Sequence, residues 1–145
     1  MKKSDEILFQ LLRRALWGDG AERLQEISVQ DGNDEEWKEI YRQASYQGVL
    51  ALAWDGVKDL PMDKGLKLTW ALNVEKIEGR YERQRMVLEE LAELFAQNGL
   101  DMMIIKGYGL SLLYPEPKHR PCGDIDFSLY GEYAKGDKVL EETHN

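Results

Sequence analysis

Along the first hundred positions, apolar residues recur at three- and four-residue spacing, the period of amphipathic helices. From Ile7 to Trp17 the positions Ile7, Leu8, Leu11, Leu12, Ala15 and Leu16 follow it, and the "GDG" at 18–20 ends the run. A shorter helix is expected over 21–27. The stretch "QDGNDEEW" reads as a turn and a helix start, with Asn33 or Asp34 as N-cap and acidic residues in the first turn. Residues 35–58 continue as helix through Trp37, Ile40, Tyr41, Ala44, Leu50 and Trp54, with Gly48 as a break or bend. Residues 63–97 form one long pattern in which Leu66, Trp70, Val74, Ile77, Tyr81, Leu88, Leu91 and Phe95 share a broad face. Unbroken, that helix is about 50 Å long, with Gly79 the place for a bend. All four tryptophans, Trp17 included, sit at helical apolar spacing and are expected in the core.

After "QNG" at 97–99, where Asn98 or Gly99 is suited to a left-handed helix end, the pattern changes. "LDMMIIKG" holds a continuous apolar run of strand length, which suits a buried strand. "GLSLLY" is a turn or two of helix, and "PEPKHRPCG", with three prolines, is irregular. "DIDFSLY" alternates: Ile125, Phe127 and Leu129 point one way, Asp124, Asp126 and Ser128 the other. The tail "GEYAKGDKVLEETHN" begins a further helix.

A chain of 145 residues with 43% hydrophobic content supports a core of one domain, or one and a half. No apolar stretch reaches the roughly 18 residues of a membrane span. Asp5, Glu6, Arg13 and Arg14 interrupt what would otherwise be a signal-peptide core, so a cytoplasmic location is expected. The lone cysteine, Cys122, precludes an intrachain disulfide and has no catalytic-thiol pattern around it. The net charge of −8 argues against a nucleic-acid partner, yet leaves room for a small anionic ligand held by a local basic spot or a metal ion. A homo-oligomer stays open.

Asp124 and Asp126 share a strand face with Cα atoms roughly 6.5–7 Å apart. Carboxylates so placed repel unless a cation lies between or beyond them. Their hard oxygens, with waters and phosphate oxygens, suit Mg²⁺ or Mn²⁺, the arrangement used in phosphoryl and nucleotidyl transfer. By itself D-x-D is short and common, and two acids on a wet strand face need no metal. The upstream stretch "IIKGYGLSLLYP" changes the balance. It is a strand, a glycine turn and a short helix, with Gly107 permitting close backbone approach and helix N–H groups free for phosphate. Lys106 adjoins the turn, and Lys118 and Arg120 lie in the loop before the aspartates.

The run "IIKGYGLSLLYPEPKHRPCGDIDFSLY" resembles the uncharacterised nucleotidyltransferase family of bacteria, a branch of the DNA polymerase β-like nucleotidyltransferase superfamily. The resemblance is concentrated in residues 100–130, with the preceding "LEELAELFAQNG" also typical. It implies an α+β fold: a helical region over 1–60, then over 61–145 the long helix and first strands of a nucleotidyltransferase-like mixed sheet with flanking helices. It implies that Asp124 and Asp126 are the catalytic, metal-binding pair and that Gly107 holds nucleotide phosphates. Lys106, Arg120 and Gly123 match the branch's own pattern. The implied activity is Mg²⁺- or Mn²⁺-dependent transfer of a nucleoside monophosphate from an NTP to an acceptor, small molecule or protein, that the sequence does not identify.

Two departures stand against the pattern. Many superfamily members carry Ser after the motif glycine where this chain has Tyr108; Ser111, four residues after Gly107, is a candidate to face the same site. The superfamily also draws a third carboxylate from a later strand. Glu132, Asp137, Glu141 and Glu142 follow Asp126, none in an apolar strand, so the chain is expected to be an N-terminal fragment with an incomplete active site. The alternative is a catalytically inactive nucleotidyltransferase-like binding or regulatory module. A glycosyltransferase D-x-D is disfavoured by the short spacing from the glycine helix. His119 is expected as a solvated loop residue and His144 as exposed; no His or Cys stands at zinc-ligand spacing. "GRYERQR" reads as the solvated face of the long helix.

Overall fold

In a computed structural model, the structure describes residues 1–18 and 34–144. The expected helix over 21–27 and the candidate cap Asn33 lie outside the described residues. Helix α1 runs Lys3–Trp17 and ends at Gly18, whose positive φ of 72° lets its N–H reach the carbonyl of Arg14. Helix α2 runs Asp34–Tyr46 with three acids in its first turn, and α3 runs Leu50–Val57. Gly48, at φ 72°, makes the break between them. Helix α4 runs Lys64–Gln97, capped by the Asp63 carboxylate on the Leu66 N–H at 2.9 Å. It passes Gly79 uninterrupted, and its 34 residues span about 51 Å. Gly99, not Asn98, takes the left-handed conformation beyond it, at φ 71°.

Two apolar clusters share α4. The first joins Ile7, Leu11, Trp37, Ile40, Val57, Trp70 and Val74. Trp70 is its centre: fully buried, donating from Nε1 to the Leu50 carbonyl at 2.9 Å, with Tyr41 edge-on at 5.4 Å. The second joins Phe95, Leu100, Leu129 and Val139 at the far end of the same helix. The expectation for Trp17 is overturned, for it is 68% exposed. Six residues past Leu11, it lies about 120° round the helix from the buried stripe.

The remainder is a two-stranded antiparallel sheet with small helices: β1 (Met103–Ile105), α5 (Gly107–Ser111), a 3₁₀ turn at Pro117–His119, β2 (Asp126–Ser128) and α6 (Tyr133–His144). The fold is α+β, mostly helical, as expected. β1 is not fully buried: Met103 is 44% exposed, because a two-stranded ribbon has one wet face. The proline-rich loop, expected to be irregular, holds the 3₁₀ turn, with Pro117 at the first position, where a missing N–H does no harm. No described helix is long and apolar enough to cross a membrane.

Candidate functional site

The register of the ribbon brings the two parts of the motif together. Met103 pairs with Ser128, Ile104 with Phe127 and Ile105 with Asp126. Asp126 therefore stands opposite the last residue of β1, beside the turn into α5. Lys106 makes that turn at φ 55° and ψ −136°, a backbone that non-glycine residues rarely adopt. The turn carries the chain off the ladder, so the strand does not extend back to Asp124. Asp124 lies in a bend instead of on the strand face that alternation assigned it. Even so, its carbonyl passes close to Gly107: a Cβ there would meet it at 3.7 Å, ordinary contact. Asp124 and Asp126 are both exposed, and neither makes an ion pair among the described residues.

The loop before the two aspartates is held from two sides. Arg120 Nη1 donates to the carbonyls of Gly107 and Pro121, both at 3.3 Å, and its guanidinium lies 5.9 Å from the centre of the Tyr114 ring. Helix α4 supplies the rest. Gln84 Nε2 donates to the Gly123 carbonyl at 2.7 Å, immediately before Asp124. Tyr81 stacks on Tyr108 with ring centres 5.5 Å apart, and its hydroxyl lies 2.8 Å from that of Ser111. Burial raises the Tyr81 pKa, partly offset by that bond. Ser111 is fully buried and also donates to the Tyr108 carbonyl at 2.5 Å. Its hydroxyl faces α4, not the turn's open side.

His119 overturns its expectation as a solvated loop residue. It is 6% exposed, with Nδ1 2.6 Å from Asp55 of α3 and Nε2 2.6 Å from Glu78 of α4. Burial pushes its pKa down, but the two hydrogen bonds and the charges of Asp55 and Glu78 outweigh burial and raise it. A carboxylate at each ring nitrogen calls for a proton on both, the imidazolium form. The loop that carries the aspartates is thus pinned to two helices. Neither this clamp nor Gln84 was foreseen. Nothing in "PKHRPC" marks its histidine as buried, and Gln84 lies within "GRYERQR", the stretch read as the solvated face of the long helix. Lys106 is exposed and makes no ion pair among the described residues, and Lys118 reaches Glu82 at 3.5 Å. His144 is exposed, and Cys122 is a partly buried free thiol.

The family described as uncharacterised nucleotidyltransferase matches residues 33–143 of the chain. The chain belongs to this family. The match takes in α2 and α3 as well as the glycine turn and the aspartates, so the helices that grip His119 are part of the family's body. Membership of this nucleotidyltransferase family supports a general role in nucleotidyl transfer and implies a nucleotide substrate. A search of the curated proteins and of the solved structures finds no match.

Proposed function

We propose that this nucleotidyltransferase moves a nucleoside monophosphate from an NTP to the hydroxyl of an acceptor, with Mg²⁺ or Mn²⁺. The acceptor oxygen bonds to the α-phosphorus, the bond from that phosphorus to the pyrophosphate oxygen breaks, and the hydroxyl proton passes to water. The observation that carries this reading is the pairing of Ile105 with Asp126, which sets a hard, exposed carboxylate beside the glycine turn.

Asp124 and Asp126 would hold the metal. The described residues contain no group of three or more His, Cys, Asp or Glu fit to hold an ion alone. Two open carboxylates do fit a cation that keeps several waters and takes its other ligands from phosphate. Such a cation neutralises charge on the transferring phosphate. Gly107 and the N–H groups after it would face the phosphates, with Lys106 in reach. Arg120, Gly123, Tyr108 and Ser111 would act from behind, holding the turn in shape.

Paramagnetic broadening by Mn²⁺ tests this. With a non-hydrolysable NTP present, the amide signals of Gly107, Gly123 and Asp124 should broaden first, and Asp126→Asn should abolish the effect. Broadening centred elsewhere would contradict the proposal. A second reading, nucleotide binding without turnover, is favoured by Tyr108, whose ring packs on Tyr81 where a phosphate-contacting serine is common. NTP-dependent pyrophosphate release would exclude it.

A further inference from the structure

The chain is acidic, and several of its cations hold a carboxylate: Arg14 with Asp59, Arg42 with Glu39, Arg85 with Glu82 and Glu89, Lys58 with Asp55, Lys118 with Glu82. Lys76 and Arg80 are among those that do not. They stand one turn apart on α4, both exposed, and neither has a carboxylate within salt-bridge distance among the described residues. Both line a pocket of about 320 Å³ with Tyr41, Ser45, Asn73 and Pro121. That volume is at the small end for ligand pockets.

The polar groups of this pocket are set in advance. Asn73 Nδ2 donates to the Tyr41 hydroxyl at 2.9 Å and to the Thr69 carbonyl at 2.9 Å. Both amide hydrogens are thereby used, which leaves the Asn73 carbonyl oxygen as an acceptor and the Tyr41 O–H as a donor. Two cations, one hydroxyl donor and one amide acceptor together suit an anion that carries a hydroxyl. The place matters as well. Pro121 belongs to the loop that carries the aspartates, and Arg80 is one turn, about 6 Å, along α4 from Gln84, which holds Gly123.

We propose that this pocket binds the anionic group, phosphate or carboxylate, of a small hydroxylated acceptor beside Asp124 and Asp126. The acceptor role rests on the nucleotidyl-transfer reading; the anion site can be tested without nucleotide or metal. The ¹⁵N-labelled chain is titrated at fixed ionic strength with glycerol 3-phosphate and, separately, with glycerate. Saturable shifts at Tyr41, Asn73, Lys76 and Arg80 are expected with one or both, the stronger naming the anion. K76M/R80M should weaken binding about tenfold or more without moving the melting temperature, since both side chains are exposed. D124N/D126N should bind the anion at least as tightly as the wild type does, because the variant removes negative charge. No saturable shift with either compound, or equal affinity in K76M/R80M, overturns the pocket. Saturable shifts centred instead on Gly107, Gly123 and Asp124 overturn it too, by placing the anion at the nucleotide site.

Discussion

His119 Nδ1 lies 2.6 Å from the carboxylate of Asp55, 64 residues earlier in the chain. This contact, with its mirror at Glu78, ties the loop before the paired aspartates to two helices.

The clamp makes stability depend on pH in a definite direction. The His119 pKa is raised, so its contribution is fully present below the ordinary imidazole value of 6.5 and is lost as pH rises through the higher folded value. Denaturant unfolding of the wild type should show stability falling over that interval. His119→Ala should flatten this part of the profile. Near pH 6 it should cost about 2 kcal/mol, since it leaves Asp55 with Lys58 alone and takes the His119 partner from Glu78, which is already partly solvated.

Gly56 and Gly107 should respond differently to alanine. A Cβ on Gly56 would stand 2.3 Å from the backbone oxygen of Leu11, where α1 crosses α3, and neither backbone can yield cheaply. Gly56→Ala should destabilise by about 3 kcal/mol, read as a lowered denaturant midpoint. At Gly107 the nearest atoms are 3.7 and 3.9 Å away, so Gly107→Ala should melt as the wild type does. Weakened NTP binding in that variant would then report on the phosphate seat, not on folding.

Tyr81→Phe removes a buried hydroxyl that meets Ser111. Equilibrium unfolding should show a loss of about 1–2 kcal/mol. In a double-mutant cycle with Ser111→Ala the two losses should not add, because the pair shares one bond.

Much of this architecture was legible because helical periodicity is a local signal. The break at Gly48, the stop at Gly99 and the start of α4 after Asp63 follow from residue types suited to those backbones. The strand pairing was less legible. Alternation put Asp124, Asp126 and Ser128 on one face, but the ladder stops at Asp126 because Lys106 turns its partner strand away. The burial of His119 was not legible at all. Its partners come from helices 41 and 64 residues away, a long-range arrangement with no period to announce it. Trp17 shows the reverse failure: a residue type common in cores, placed at a helix end off the buried stripe.

The central claim is that Asp124 and Asp126 hold a metal-bound nucleotide beside the Gly107 turn. Calorimetric titration of the four NTPs, with and without Mg²⁺, tests it on the wild type and on D124N/D126N. The account predicts Mg²⁺-dependent binding of at least one NTP by the wild type. It also predicts no such binding by the variant, whose melting temperature should be unchanged because both positions are exposed. Metal-dependent binding that survives in the variant, or no binding by the wild type, would contradict it.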